Sequence, residues 1–382
     1  MATLTEEQAK TYMTKLLTAM TRAGGSDLFV SKDFPPSMKS QGQMQPLSTQ
    51  KLSAEITWEL ANSIMSESQR EEFAQELECN FALEIPGVAR YRVNVFVQQN
   101  NVGMVIRAIP TEIPTIEQFG LPETFKDVVM AKRGMVLMVG ATGCGKSTSL
   151  AAMINHRNRT SAGHIITVED PVEFVHASQQ CLVTHRDVGI DTRSWHSALK
   201  NTFRQAPDVI LIGEIRDPET MELAINFAET GHLCLSTLHS NSASQTLDRI
   251  VNFFPDSRRA QLLMDLSSNL KAIISQRLVR AADGKGRIAA IEILLNTPIV
   301  ADKLLKGEFH GLKDIMGKSR ELGMRTFDLS LFELYDNGVI TYEEAILNAD
   351  SQNELRLNIK LNSKHPDPAA TTFIGKASIS SK

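Results

Sequence analysis

The chain has 382 residues, of which 42% are hydrophobic and 22% charged, and it carries a formal net charge of −4. That length exceeds one compact core and predicts two domains plus terminal extras, while the near-neutral balance excludes the global basic excess of a nucleic-acid binder. The four cysteines, at 79, 144, 181 and 234, form no CxxC pair, which argues against a zinc site or disulfide framework and fits reduced thiols in a cytosolic compartment.

Taken in chain order, residues 1–8 are acidic and helix-capping in character, unlike a basic leader, and no apolar run reaches membrane-spanning length. No direct membrane insertion is therefore expected. Residues 5–23 predict an opening helix capped by Thr5, with Tyr12, Leu16, Leu17 and Met20 at helical spacing. Gly24-Gly25 ends it. A short strand at 27–30 precedes a loop rich in Pro, Gly and Gln, and 48–65 predicts a helix followed by a polar helical stretch ending near Glu78. Three strands follow, at 81–85, 91–97 and 102–109, and predict an antiparallel meander within an α+β domain of residues 1–109. If the second hairpin turns tightly at Gln99-Asn100, Arg92 and Arg107 face each other across the strands. Like charges so placed repel, which suits a wet basic face or an anion held between them.

The paired prolines Pro110 and Pro114 break both periodicities and predict a stiff linker over 110–121. Beyond it, strands at 135–139, 164–168, 208–213 and 233–238 alternate with helices, the pattern of a RecA-like parallel sheet. Short helices are expected at 299–306, 312–319, 327–336 and 341–349, which carries this domain over 122–362. The residues at 363–382 are poor in apolar side chains and predict a disordered tail.

Between the first apolar strand and the helix after it runs Gly140-Ala141-Thr142-Gly143-Cys144-Gly145-Lys146-Ser147, a complete GxxxxGK[ST] loop, followed by Thr148. Its glycines let backbone N–H groups converge on phosphate oxygens, and the helix N-terminus adds its positive dipole end. Lys146 supplies a cation to the terminal phosphates, and the Ser147 hydroxyl would hold Mg²⁺, so ATP and Mg²⁺ are the expected cofactors. Such a loop needs an acidic partner strand. Two are offered: the strand ending in Glu214, with Gly213 where many ATPases carry Asp, and the strand ending in Glu169, Asp170 and Glu173. Either could instead be a solvated acidic strand end. Cys144 is either a redox switch or a side chain filling a tolerant loop position.

The segment Phe203-Arg204-Gln-Ala-Pro-Asp208-Val-Ile-Leu-Ile-Gly-Glu214-Ile-Arg216-Asp217 resembles the signature of secretion and type IV pilus ATPases. Glu169-Asp-Pro-Val-Glu173 resembles their aspartate box, and the stretch from Thr230 through His232 to His239 their histidine box. The resemblance runs from about Ser26 to about Asn348. The tetracysteine insertion and long N-terminal extension typical of assembly and secretion members are absent, so the chain looks like the retraction branch of PilT and PilU. Two features lean toward the PilU side. One is the C-terminal extension with His365-Pro-Asp-Pro368; the other is the helix after Asn296-Thr-Pro298, which reads Ile-Val-Ala301-Asp302-Lys-Leu-Leu-Lys306 and lacks the Arg-Asn pair that PilT members carry.

The resemblance implies a PAS-like N-terminal domain and a RecA-like P-loop ATPase domain with a helical C-terminal part. It assigns catalysis to Glu173, places Glu214 in the Walker B and metal-binding role, and makes Arg92 and Arg107 arginine fingers toward a neighbouring copy. Arg133 matches a third family arginine. His232 and His239 would contact or sense nucleotide, the alternative for His232 being a structural cap on its strand. It further implies a homohexameric pilus-retraction motor in the cytoplasm, peripheral to the inner membrane, working with a PilT-like ATPase and a membrane platform protein in twitching motility. A coupling ring that strengthens a separate motor is the second reading, motivated by the altered helix at 299–306.

Overall fold

A computed structural model of the chain describes residues 4–40, 43–109 and 113–365. They fall into two compact units. The first comprises the described residues of Met1–Glu112 with Glu173–His176 and Asp187–Arg193; the second comprises those of Ile113–Val172, Ala177–Arg186 and Ser194–Lys382. Within the expected linker, 110–112 lie outside the described residues, as does the expected tail from 366 onward, including Pro366 to Pro368.

The first unit runs α1 (Glu6–Arg22), β1 (Asp27–Val30), β2 (Ser37–Ser40), β3 (Gln43–Pro46), α2 (Ala54–Ile64), α3 (Glu67–Glu76), β4 (Glu78–Ile85), β5 (Ala89–Gln98) and β6 (Asn101–Ile109). Thr5 caps α1 through a reciprocal capping box with Gln8. The second helix starts later than its pattern suggests, because Ser53 rather than Ser48 accepts the first-turn N–H, from Ile56. The strands form one antiparallel sheet in the order β3-β2-β1-β6-β5-β4. Alternation explains its core: Tyr91, Val93 and Val95 of β5 and Met104 and Ile106 of β6 point inward among Met13, Leu17, Met20 and Leu60. The hairpin β2–β3 occupies the stretch expected to be loop. All four residues of β3 are exposed, so pairing with β2 rather than apolar periodicity forms that strand.

The second unit runs α4 (Thr124–Val129), β7 (Gly134–Val139), α5 (Lys146–Thr160), β8 (Gly163–Glu169), β9 (Cys181–Asp187), α6 (Trp195–Thr202), β10 (Val209–Ile212), α7 (Pro218–Glu229), β11 (Leu233–Leu238), α8 (Ala243–Asn252), α9 (Asp256–Asn269), β12 (Leu270–Arg280) and β13 (Arg287–Leu295). The helices α10 (Pro298–Lys306), α11 (Leu312–Lys318), α12 (Phe327–Asp336), α13 (Tyr342–Asn348) and α14 (Gln352–Asn362) follow. The sheet order is β13-β12-β7-β11-β10-β8-β9. From β12 to β8 neighbouring strands pair in parallel, and β13 closes one edge antiparallel to β12. Every residue of β7 and β11 is buried, as expected of strands covered on both faces. Phe327, Leu331, Tyr335, Ile346, Leu355 and Ile359 of the last helices pack with Val279 and Ala290 of the β12–β13 edge.

The strands β9, β12 and β13 and the helix α14 depart from the sequence expectation, which did not include them. The first two residues of the expected tail are also anchored, because Ser363 Oγ and the Lys364 N–H both donate to Asp336 Oδ1 (3.0 and 2.7 Å). The architecture is otherwise the mixed α/β class expected, a β-rich N-terminal unit and a P-loop unit with a helical C-terminus. Among the described residues, no helix is long and apolar enough to cross a membrane.

One buried carboxyl sits in the β12–β13 edge. Glu292 pairs in register with Ser275, whose hydroxyl donates to its Oε1 at 3.0 Å, and the same oxygen accepts the Ala243 N–H at the start of α8 at 2.8 Å. Burial raises this carboxyl above its ordinary pKa. The fold therefore favours the protonated form, and that stabilisation is complete below the ordinary carboxyl pKa and lost as pH rises through the raised one. Glu292→Gln keeps the accepting oxygen without the charge. Its melting temperature is expected to exceed that of the parent chain at pH 8, with the gap closing as pH falls through the raised value; a gap that widens on acidification contradicts this.

Candidate nucleotide site

The parallel strands deliver their C-terminal ends to one edge of the sheet, where ligands of open α/β sheets gather. Val139 of β7 lies in register with Leu238 of β11, and Ile212 of β10 with Val168 of β8 and Ser236 of β11. The segments leaving this edge are the glycine loop after β7, Asp170 onward after β8, Gly213-Glu214 after β10 and His239 after β11. Four motifs that are far apart in sequence thus emerge together.

The loop turns through positive φ at Gly140, Gly143 and Gly145, with Gly145 (φ 89°) as N-cap of α5. No side chain caps α5, whereas Thr5, Ser53 and Ser66 cap α1, α2 and α3. Its first-turn amides therefore have no side-chain acceptor and suit an anion. Lys146 spans the loop: its buried Nζ donates to the carbonyls of Gly140 (2.9 Å) and Ala141 (3.0 Å). Ser147 and Thr148 follow on the first turn, half-buried.

Glu214 is engaged on both oxygens. Arg216 donates to its Oε2 from Nε (2.9 Å) and Nη2 (2.8 Å), and His239 Nε2 lies 3.0 Å from Oε1. The pairing with Glu214 raises the Arg216 pKa above its ordinary value. The structure thus joins the segment that leaves β10 to the histidine after β11 through one 3.0 Å contact. It also accounts for Gly213: a Cβ there would lie 3.2 Å from the Cα of Glu169, so that close approach leaves little room for the Asp found in other ATPases. Glu169 itself is buried, while Glu173 is exposed and belongs to the first unit.

Other residues of the signature are architectural. Asp208 Oδ2 accepts the His164 N–H at 2.8 Å, tying the start of β10 to that of β8. Asp217 caps α7 by accepting the Thr220 N–H at 2.7 Å, with Pro218 at the first helical position.

Arg92 and Arg107 are cross-strand partners in β5–β6, and the turn is the tight one, with Gln99 and Asn100 both at positive φ. The anion beside them belongs to the chain itself. Asp27 of β1 pairs in register with Arg107 and accepts from its Nε at 2.7 Å, which offsets the repulsion between the arginines.

His232 and Arg133 lie elsewhere. They precede β11 and β7, at the opposite edge of the sheet from the loop, separated from it by a six-residue strand of roughly 20 Å. His232 Nδ1 lies 3.0 Å from Thr230 Oγ1 and 3.2 Å from the Phe227 carbonyl, and its ring stands edge-on to Phe203 and Phe227. Within one chain these two side chains do not join the loop. Cys144 is buried, and that burial raises its thiol pKa. A thiol with so little thiolate is a poor redox switch and a good filler of the loop.

No group of His, Cys, Asp and Glu among the described residues is arranged to hold a metal by itself. Ser147 and Glu214 carry a hydroxyl and a carboxylate, the donor types that share Mg²⁺ with phosphate oxygens in nucleotide sites. Sequence reading missed three contributors: Arg216 as the partner of Glu214, Asp27 as the partner of Arg107, and Gln276 of β12, which reaches the loop from the neighbouring strand. Arg216 lay inside the quoted signature; the other two carry no local signal.

The comparisons with known proteins agree with this geometry. Residues 6–309 match the family of type II/IV secretion system proteins. The type IV pilus ATPase PilU of Pseudomonas aeruginosa is 57% identical over 350 residues, covering 92% of this chain and 92% of that protein. The type IV pilus retraction ATPase PilT of the same organism is 42% identical, over 87% of this chain and 96% of its own. Among solved structures, the pilus retraction motor PilT with bound ADP superposes with a TM-score of 0.82 at 36% identity, over 88% of this chain and 98% of that one. A glycine loop, an acidic strand end and a histidine on one sheet edge, carried by a sequence this close to those relatives, place the chain in the type II/IV secretion system protein family, within its PilT/PilU branch of type IV pilus ATPases.

Proposed function

We propose that the chain hydrolyses ATP with Mg²⁺ and couples that hydrolysis to retraction of a type IV pilus, working as a homohexamer beside a PilT-like ATPase. The observation that carries this reading is the convergence of the loop, Glu214 and His239 at one sheet edge. Relatives named as a pilus ATPase and a pilus retraction ATPase, and an ADP-bound retraction motor, supply its biological direction. Docking on an inner-membrane platform protein from the cytoplasm belongs to the same proposal.

Bound MgATP supplies the scissile phosphoanhydride and the cation that neutralises it. Residues 140–148 would bind the phosphates through loop amides, the Lys146 ammonium would follow the terminal phosphate, and the Ser147 hydroxyl would hold the cation. Glu214 would supply the carboxylate side of the cation's shell and, through its 3.0 Å contact with His239, link it to the end of β11. Glu173 takes the proton of the attacking water. Arg92 and Arg107 of a neighbouring copy stabilise the transferring phosphoryl, with Asp27 holding Arg107 in place until then. His232 and Arg133 sit at the far edge, so any nucleotide they touch belongs to a neighbouring copy.

The second reading, a ring that strengthens a separate motor, is favoured by one feature. Lys306 of α10 is paired with Asp302 at 2.7 Å, and Lys303 with Glu308 just past the helix, so the charges of the helix that lacks the PilT Arg-Asn pair are met locally. Two measurements test these readings. ATP turnover of the purified chain is expected to fall about 10²-fold or more in Glu173→Gln, and a parent chain without Mg²⁺-dependent turnover sinks the ATPase reading. Pilus retraction assayed with this chain alone and then beside a PilT-like partner separates the motor from the coupling ring.

A further inference from the structure

We infer that Gln276 is a positioning residue of the phosphate loop, setting the loop's curvature from the adjacent strand; this rests on the ATPase reading above. Its side chain is 3% exposed. The carboxamide uses both ends on one target: Nε2 donates to the Cys144 carbonyl at 2.6 Å, and Oε1 accepts the Ser149 hydroxyl at 2.7 Å. Cys144 lies in the loop and Ser149 one turn into α5. A single rigid amide therefore spans the joint where the loop becomes the helix.

The contact is close enough to shape the loop sequence. A Cβ on Gly140 would lie 2.5 Å from the Gln276 carbonyl oxygen, and one on Gly145 would lie 2.8 Å from Nε2. Two of the motif glycines are thus required by the approach of β12 as well as by phosphate. The strand itself is held firmly. Arg277, the next residue, donates to the carbonyls of Asn348 (3.1 Å) and Asn241 (3.2 Å), pairs with Asp350 at 2.7 Å and stacks on Phe327 at 3.9 Å. A group aimed by a backbone so anchored can hold a catalytic loop to within tenths of an ångström.

Losing the amide leaves the buried Cys144 carbonyl and Ser149 hydroxyl without their partner and frees the loop to relax, which weakens phosphate binding. The inference concerns the loop's grip on nucleotide, not the chemical step, so the effect belongs in KM. In Gln276→Met, which keeps the volume, the KM for ATP and the Kd for a fluorescent ADP analogue are expected to rise about tenfold, with kcat within about threefold of the parent. Ser149→Ala, which removes one arm, is expected to raise KM less. The double variant is expected to match Gln276→Met alone, because Gln276→Met already breaks the contact that Ser149→Ala removes.

An unchanged KM in the folded Gln276→Met chain, or a fall in kcat with KM unchanged, overturns the inference. Should Gln276→Met fail to fold, Ser149→Ala decides by the same criterion. A parent chain that binds no nucleotide overturns the ATPase reading and this inference with it, and that failure appears in the parent chain before any variant is made.

Discussion

ATP turnover in Lys146→Ala is expected to fall by about 10²-fold or more, measured as phosphate release at saturating MgATP. The size of the effect follows from what the side chain does. Its ammonium is the cation on the loop itself, buried and held against the Gly140 and Ala141 carbonyls at 2.9 and 3.0 Å. Charge that builds on the transferring phosphoryl has no equivalent counter-ion on that loop. Alanine is the better helix former, so the start of α5 tolerates the change, and the glycine loop keeps its amides. The loss is therefore chemical and not a collapse of the unit. Turnover within about threefold of the parent chain would mean that Lys146 does not serve the reacting phosphate.

The largest stability effect is expected at Phe227. Phe227→Ala should lower unfolding free energy by about 3–5 kcal/mol, through lost apolar burial and the cavity left behind. Its ring is fully buried on α7, stacked on Phe203 at 3.9 Å between centroids and met edge-on by His232 at 5.9 Å. Removing it unpacks Phe203 at the end of α6 and the histidine that precedes β11 together. Denaturant unfolding followed by Trp195 fluorescence in a Trp58→Phe background reads the second unit alone, since the chain has two tryptophans and Trp58 lies in the first unit. A change under about 1 kcal/mol would show that the site closes over the missing ring. The same variant bears on His232, whose observed partners are those of a packed histidine.

These expectations draw on different kinds of information. The loop was legible because its function demands a local order of residue types: an apolar strand, glycines where backbone must approach an anion, a lysine and a hydroxyl on the first helical turn. The turn at Gln99-Asn100 was legible only as a condition: the facing of Arg92 and Arg107 followed if the turn was tight, and the structure supplies that two-residue turn, with both residues at positive φ. Strands β12 and β13 were not legible. Their centres carry Ser275, Gln276 and Glu292, polar residues that break an apolar pattern and are nonetheless buried. Such residues are admitted to a core only when each finds a partner, and the partners here lie on other elements: Cys144, Ser149, Ala243.

By itself, then, the sequence determined what depends on neighbours along the chain: the phosphate loop, the capped helices, the alternating strands and the signature that ends in Glu214. Tertiary structure decided which of those pieces meet. It joined Glu214 to His239 and Arg216, gave Arg107 a carboxylate from β1, set His232 and Arg133 on the far edge of the sheet, and brought Gln276 to the loop from 132 residues away. The physical reason is one of range. Backbone propensity and burial period act over a few residues, whereas a hydrogen bond between two strands depends on sheet order, and no local pattern encodes that order.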